Sequence, residues 1–318
     1  MWTSNTNQTT TPRTTTMTTQ NWHHDTAIAV EDKTIDQQLQ AADLDWTVEM
    51  SGFRYGDRYQ HRQSETQVAF RSDTGMFIDT YTNRQPWQNR EIIENFHHFC
   101  SESDLDLKVE NIGSLENGKR LFAAAKLPGV TDVKNVGDVT EWRLLLEDSH
   151  INGNGLQVSL FSNRLICTNG MRQTIRVGNK TVSHVGTFNR DRINQLLEAA
   201  IVSVRQQEQE FEKLAEVTMS IEEATLQLVS AFGHATLPID QQPQMIQTAL
   251  KLFQGQAKGS DLLSAYKTAY GLLQSVTEYF NWHAPQRGTS QTQFASVLSG
   301  NRGQKMSQFE RQLVSVYC

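Results

Sequence analysis

Apolar and polar side chains alternate in short runs through most of the first half of the chain. A first run begins at Trp46, and two more, at 67–71 and 76–80, flank an Asp-Thr-Gly turn. A period of two residues is typical of strands with one buried face, so these runs predict a strand followed by a hairpin. Further runs at 105–112, 120–127, 141–148 and 156–161 predict a four-stranded antiparallel meander, and a short hairpin is expected at 174–185.

Helical spacing interrupts this alternation once and replaces it after residue 186. Between 88 and 102, apolar residues from Ile92 to Cys100 fall on one helical face. From Ile193 to Leu214 an apolar stripe predicts a helix of about eight turns. A Ser220-x-x-Glu223 capping box opens the next helix. Two more helices are expected from 243 to about 255 and at 262–282, and a short last helix follows a polar stretch at 285–304.

These patterns predict an α+β fold, in which an antiparallel β-meander with one inserted helix precedes a mostly helical C-terminal layer. Half of the first twenty residues are Thr, and such a segment buries too little apolar surface to offset the entropy lost on ordering. We therefore divide the chain into a disordered Thr-rich arm and lead-in at 1–44, an antiparallel α+β domain at 45–186, and a helical region at 187–318.

The distribution of charge singles out one part of the chain. The net charge of −6 gives no overall attraction to nucleic acid or anionic lipid. Residues 161–192, however, include six Arg and Lys side chains and one acidic residue, Asp191, which gives a local net charge of +5. Cations spaced along strands and turns can follow a phosphate backbone, and nearby aromatic rings can stack on bases. The candidate nucleic-acid-binding residues are Arg164, Arg172, Arg176, Lys180, Arg190, Arg192, Phe161, Phe188 and Trp142.

A smaller basic cluster lies near the first hairpin. Its members are Arg54, Arg58, His61, Arg62 and Arg71. For the cations at 161–192 the sequence leaves a second interpretation open, in which they pair with the acidic helices that follow residue 186.

Cysteine usage and hydropathy indicate the compartment. The three cysteines, Cys100, Cys167 and Cys318, are too widely spaced for a disulfide framework or a paired zinc site, which favours a reducing environment. No apolar run approaches the ~20 residues that a membrane span needs, and no secretory signal is visible. We expect a cytoplasmic protein with no membrane partner, no metal and no cofactor.

Two local motifs have simpler interpretations than the chemistry they suggest. Gly113-x-x-x-x-Gly118-Lys119 matches the start of a phosphate-binding loop, but Arg120 replaces the Ser or Thr that would bind Mg²⁺. The residues that follow alternate like a strand, so we interpret the motif as a hairpin turn. His97 and Cys100 share a helical face, but no second pair of metal ligands accompanies them, and Cys100 is expected to be a buried thiol.

Several motifs together carry a resemblance. They include Arg71, Asp73 and Gly75 at the first hairpin, Gln88 and Asn89 at the first helix, Gly113 and Gly118, then Arg164, Cys167 and Asn169, and finally Ser275 to Phe280. In their order and spacing they resemble domain-of-unknown-function family 932, a family carried by phages and plasmids. The resemblance covers 45–316 and implies an accessory role in mobile elements, without a catalytic residue to transfer. The order of elements is also similar to that of Rad52-type single-strand annealing proteins, which is an analogy of topology.

These observations lead to three hypotheses. The first is a non-enzymatic nucleic-acid-binding protein of a phage, plasmid or integrated element, which binds or anneals single-stranded DNA in recombination as a homo-oligomer. The alternative is a protein-interaction module, a host-defence or antirestriction inhibitor that engages a basic host protein. It would act through the acidic helical region, where the charges are Glu198, Glu208, Glu210, Glu212 and Glu216. The third is an enzyme whose site is assembled from Asp73, Gln88, Asn89, His150, Cys167 and Asn169.

Overall fold

The computed structural model of the protein describes residues 27–56, 62–105, 107–167, 169–173 and 181–318. These residues form an α+β fold, as the sequence predicts. The strands are β1 (Ile28–Ala29), β2 (Val48–Tyr55), β3 (Arg62–Arg71), β4 (Phe77–Tyr81), β5 (Lys108–Leu115), β6 (Arg120–Lys126), β7 (Thr131–Asp132), β8 (Val139–Ser149), β9 (Leu156–Arg164), β10 (Asn169–Gln173) and β11 (Thr181–Val182). The helices are α1 (Ile35–Ala41), α2 (Asn89–Glu102), α3 (Arg190–Glu216), α4 (Ile221–Phe232), α5 (Gln244–Lys251), α6 (Ala269–Glu278), α7 (Ser290–Leu298) and α8 (Asn301–Tyr317).

The strands form two antiparallel sheets. The large sheet has the order β1-β5-β6-β8-β9-β10, with β7 paired to β8 and β11 paired to β9. The small sheet has the order β2-β3-β4. The predicted strand, hairpin and meander are therefore confirmed. Of the short hairpin expected at 174–185, residues 174–180 lie outside the described residues.

Both faces of the large sheet are covered. Leu144 and Leu146 of β8 face the main core, which also includes residues of α2, α3 and α6. Leu145 points to the other face, where Phe294 of α7 belongs to the same apolar cluster. Because both faces are buried, the middle of β8 is continuously apolar rather than alternating.

The first helices of the C-terminal region match the prediction. Helix α3 is 27 residues long, or about seven and a half turns. The capping box at α4 is present, since Ser220 Oγ accepts from the Glu223 N–H at 3.1 Å and Glu223 Oε2 accepts from the Ser220 N–H at 2.8 Å. Helix α5 continues into one π-helical turn, in which Gly255 has a φ of 119°.

The fourth predicted helix, at 262–282, begins later than expected. Helix α6 starts at Ala269, and residues 257–267 form turns and bends. Lys267 has a φ of 50°, in the left-handed region that interrupts a right-handed helix. Thr268 then caps α6, because its hydroxyl accepts from the Gly271 N–H at 3.0 Å. Tyr266, expected on the apolar face, is exposed.

The expectation of a polar, non-helical stretch at 285–304 is wrong. Helix α7 lies within it, and α8 begins there and runs for 17 residues, so it is not a short helix. Thr289 starts α7 by accepting from the Thr292 N–H at 3.3 Å. Phe294 and Leu298 are spaced four residues apart and bury one face of α7 against the large sheet.

One core joins the predicted α+β domain to the helical region. The ring of Phe211 in α3 lies 5.7 Å from that of Trp142 in β8 and 5.3 Å from that of Tyr270 in α6. Residues 27–44 of the lead-in also belong to the fold, because β1 pairs with β5 and Leu39 of α1 is buried. Residues 1–26 lie outside the described residues. Over the described ranges, none of the helices combines the length and hydropathy that crossing a bilayer requires.

Candidate nucleic-acid interface

Within the basic segment predicted to bind nucleic acid, the residues on either side of 174–180 pair with β9 of the large sheet. Gln173 pairs with Leu160 of β9, and Thr181 pairs with Gln157 of the same strand. Arg176 and Lys180 are outside the described residues, and of Arg172 only the backbone is described. The cations that remain candidates are Arg172, Arg176, Lys180, Arg190 and Arg192, and we call these five residues the cationic edge.

Arg190 and Arg192 form the described part of the cationic edge. Both side chains are exposed on the first turn of α3, and neither makes an ion pair with another described residue. The Asn189 side chain caps the helix by accepting from the Arg192 N–H at 3.0 Å. The amino end of a helix carries a partial positive charge. Arg190 and Arg192 flank the exposed Asp191 in this turn, so its side chains carry a net charge of +1. This charge adds to that of the helix end and favours the approach of an anion.

Arg164 was predicted to bind phosphate, and the structure corrects that prediction. Its side chain is 3 % exposed and forms a bidentate ion pair with the fully buried Asp138, at 2.5 and 2.7 Å. It also donates to the Lys258 and Gly259 carbonyls. Arg164 therefore ties β9 to the chain before β8 and to the turns before α6. Its partner is a loop aspartate, not the acidic helices considered above.

The aromatic candidates are largely internal. Trp142 is buried, and its Nε1–H donates to Thr131 Oγ1 at 2.7 Å. Phe161 is buried in the cluster beneath α7. The interpretation of these two rings as base-stacking platforms is therefore wrong. Phe188 is half-buried beside Trp87, with ring centroids 5.1 Å apart, and it lies two residues before the cationic turn of α3.

The smaller basic cluster is only partly described. Arg54 is exposed on β2, whereas Arg58, His61 and the side chain of Arg62 lie outside the described residues. Arg71 is buried and pairs with Asp43 and Asp73 at 2.8 and 2.7 Å. Arg71 is therefore not available to a phosphate.

The acidic helix proposed for a host partner is mostly engaged within the protein. Glu208 accepts from Thr131 Oγ1 at 2.6 Å, and Glu212 accepts from the Lys134 N–H at 3.0 Å. Glu210 is buried. Of the five glutamates, Glu198 and Glu216 are exposed. The carboxylates thus do not form one acidic face, which removes the main argument for this alternative.

The motif residues at the first helix join the two sheets. The Gln88 side chain bonds the backbone of Val48 in the small sheet, accepting at 2.8 Å and donating at 3.3 Å. Asn89 is fully buried, donates to the Leu44 and Trp46 carbonyls, and has its Oδ1 2.8 Å from His150 Nε2 at the end of β8. These side chains act as a brace between the sheets.

The motif at the first hairpin has a similar role. The Arg71 guanidinium lies 4.6 Å from the Trp46 ring, and it donates at 3.0 Å to the Asn117 carbonyl in the β5–β6 turn. Asp73 binds Arg71 and the Thr74 N–H, and Gly75, with a φ of 69°, closes the turn between β3 and β4. Both motifs therefore hold the small sheet against the large sheet.

A family model described as a domain of unknown function (DUF932) matches residues 77–299, more than two thirds of the chain. The chain belongs to this family. The Arg71–Gly75 motif lies just before the matched residues of the DUF932 domain, and the Gln88–Asn89 brace lies within them. No curated protein and no solved structure matches the chain.

The described side chains proposed for an enzyme site make structural contacts in this DUF932 member. Asn89 and His150 contact each other, but both are buried at the brace. Asp73 is engaged with Arg71, and Cys167 is buried beside Arg164, whose carbonyl accepts from its thiol at 3.8 Å. The side chain of Asn169 lies outside the description.

A buried charged network at the end of β8 was not predicted from the sequence. His184 Nε2 lies 2.5 Å from Asp148 Oδ1, and its Nδ1 lies 2.9 Å from Arg84 Nη2. Arg84 also donates to the Ser149 and Asn154 carbonyls. Both ring nitrogens of His184 are thus used internally, and its ring stacks on Trp87. Of Arg84, Asp148 and His184, only Arg84 lies near the Gln88 motif in the sequence, so no local pattern pointed to the network.

The remaining local motifs have structural roles as predicted. Glu116, Asn117 and Gly118 all have positive φ in the β5–β6 turn, which confirms a hairpin turn rather than a phosphate-binding loop. Cys100 is buried, and burial raises the pKa of its thiol to about 12. Among the described residues no three His, Cys, Asp or Glu side chains are grouped so that they could hold a metal ion.

Substituting Gly118 with alanine is expected to destabilise the protein by about 1–3 kcal/mol. Gly118 has a φ of +88°, and a Cβ there would lie 2.6 Å from the Trp46 ring. The substitution therefore strains the turn and displaces the indole that stacks on Arg71. Thermal unfolding measures the loss. Ala at Gly153, which has a φ of +82° but open space around it, is the control and is expected to cost less.

Proposed function

We propose that this DUF932 protein binds single-stranded nucleic acid through the cationic edge, as a non-enzymatic accessory protein of a mobile element. The observation that carries the proposal is the exposed pair Arg190 and Arg192 at the positive end of α3, with no described carboxylate paired to either. The other three cations of the edge precede this pair by no more than 18 residues.

A phosphate backbone is the partner that this chemistry fits. Each phosphate neutralised by Arg or Lys releases condensed counterions, so a few exposed cations can hold a strand despite a net charge of −6. Phe188 is half-buried two residues before this turn and is the candidate aromatic residue that remains for stacking with a base. A single strand fits better than a duplex, because its bases are free to reach a ring. Assembly into a homo-oligomer, in a reducing cytoplasm, would repeat the cationic edge and lengthen the bound strand.

Reversing both described charges, Arg190→Glu with Arg192→Glu, is expected to weaken binding to single-stranded DNA about ten-fold or more. Two phosphate contacts are lost, so the slope of log binding constant against log salt concentration should become less negative by about 1.4. Fluorescence anisotropy of a labelled oligothymidine at several salt concentrations measures both quantities.

The matched control reverses two exposed cations outside the cationic edge, Arg205→Glu with Lys251→Glu. It changes the net charge equally and should leave the affinity within about two-fold, because distant exposed charges are screened. Equal losses in the two double variants would show that net charge, and not the cationic edge, governs binding.

A further inference from the structure

A polar cavity of 460 Å³ lies between the large sheet and α8. Its floor includes Arg120, Glu147 and Ser159 on the sheet, and its roof includes Ser299, Ser307 and Arg311. The volume falls within the range of about 300–1,000 Å³ that is usual for small-molecule sites.

The floor is polar although the same sheet face is apolar elsewhere. Ser159 pairs with Leu145, and Glu147 pairs with Phe122, so all four side chains point to this face. Beneath α7, Phe122 and Leu145 pack with Phe294 in an apolar cluster. Beneath α8 the face changes to hydroxyl, amide and charged groups. Packing alone does not call for this change, because α8 could have covered an apolar floor as α7 does.

Ser159 has a hydrogen-bonding capacity that the described protein does not use. The residue is 3 % exposed, and its Oγ has no hydrogen-bond partner in the described parts of the chain. A buried hydroxyl without a partner is unfavourable, and a bound polar molecule would satisfy it. Arg120 differs, because it is already bonded to Glu116, Glu147 and Ser299. The lining also holds three carboxylates, of which Glu116 and Glu147 pair with Arg120 and Asp148 bonds His184. Because these charges are engaged with other groups of the protein, the Ser159 hydroxyl is the neutral hydrogen-bonding group that the floor offers to a ligand.

The rim of the cavity supplies the free charge. Arg311 is exposed, lies one helical turn after Ser307 on α8, and makes no ion pair with a described residue. Of the described residues that line the cavity, Ile151 and Val158 are apolar and none is aromatic. The site thus has no platform for a base or an apolar body. It suits a ligand that is polar throughout and ends in an anionic group.

We propose that this cavity binds a small polyhydroxylated anion of the sugar phosphate class. The hydroxyl groups of the ligand would bond Ser159 and its polar neighbours on the floor, and the phosphate would bond Arg311 at the rim. None of the described residues that line the cavity belongs to the cationic edge, and this proposal does not depend on nucleic-acid binding.

Isothermal titration calorimetry with ribose 5-phosphate tests the proposal. The full chain is expected to bind it saturably, and to bind ribose and inorganic phosphate at least ten-fold more weakly, because each supplies half of the contacts. Arg311→Ala should weaken binding of ribose 5-phosphate about ten-fold or more. Lys305→Ala is the matched control, since Lys305 is an exposed cation on α8 outside the cavity, and it should bind as the unsubstituted protein does.

A second variant separates binding from folding. Ser159→Ala removes the unpartnered hydroxyl, so its melting temperature should equal or exceed that of the unsubstituted protein while its affinity for ribose 5-phosphate falls at least three-fold. No binding of ribose 5-phosphate at millimolar concentration would overturn the proposal. So would equal binding by Arg311→Ala and Lys305→Ala, or inorganic phosphate binding as tightly as the sugar phosphate.

Discussion

Replacing Arg164 with alanine is expected to destabilise the protein by about 3–5 kcal/mol, because removing one partner of a buried ion pair leaves the other charge unpaired. Asp138 is fully buried and receives three hydrogen bonds, two from Arg164 and one from Ser264 at 2.5 Å. Without the guanidinium the carboxylate must take up a proton or admit water. The Lys258 and Gly259 carbonyls would lose a donor as well. Urea denaturation followed by tryptophan fluorescence measures the loss.

Arg192→Ala is the matched control for this prediction. Arg192 is an arginine of the same basic segment, but it is exposed and unpaired among the described residues, so its removal should change stability by less than about 0.5 kcal/mol. The effects on DNA affinity should be reversed. Arg192→Ala should bind DNA more weakly, whereas the folded fraction of Arg164→Ala should bind it as the unsubstituted protein does. An Arg164→Ala protein as stable as the control would contradict the role assigned to the ion pair.

Lowering the pH from 6.5 to 4 is expected to remove about 3 kcal/mol of stability through His150 alone. Complete burial lowers the pKa of this imidazole to about 4. In the window between these values the unfolded chain binds a proton at His150 and the folded protein does not. The unfolded state therefore binds more protons, and stability falls as the pH falls. Below pH 4 both states are protonated and the effect ends.

Two other titratable groups also affect how stability depends on pH. Burial also lowers the pKa of His97, so it adds to the loss in the same window. Burial raises the pKa of Asp148, but the hydrogen bond from His184 overcomes this and holds it below the ordinary value of 3.8. Asp148 therefore contributes only under more acidic conditions.

Denaturation of His150→Gln at several pH values isolates the contribution of His150. Glutamine can still donate to Asn89 but does not titrate, so the fall in stability between pH 6.5 and 4 should be smaller by about 3 kcal/mol than in the unsubstituted protein. His234→Gln, at an exposed histidine, should leave the profile unchanged. A profile for His150→Gln that parallels the unsubstituted protein would show that His150 is not the group that titrates.

Elements with a local sequence signal were predicted well. The Ser220 and Glu223 capping box and the Asn117–Gly118 turn are set by neighbouring residues, so their positions follow from the sequence. The start of α6 depends on more than its Thr268 cap. The backbone of Thr268 also pairs with that of Thr218, fifty residues earlier, and such a contact leaves no local pattern.

The candidate site was also predicted only in part from the sequence. Its net charge identified the basic segment but did not show which of its side chains are buried and which are exposed. Strand parity would have placed Arg164 correctly, because it shares the two-residue register of Val158 and Leu160, which face the main core. Trp142 likewise shares the register of Leu144. The polar cavity left no signal, since its floor and roof come from residues at least 140 positions apart.

The most direct test of nucleic-acid binding is fluorescence anisotropy of a labelled single-stranded oligonucleotide with the purified protein at two salt concentrations. An equal length of duplex DNA serves as the control, and light scattering gives the mass of the complex. At low salt we expect an oligomer of the protein to bind single-stranded DNA more tightly than duplex DNA. At the higher salt concentration this binding should be weaker. A folded protein that binds neither DNA at low salt would contradict the proposed function.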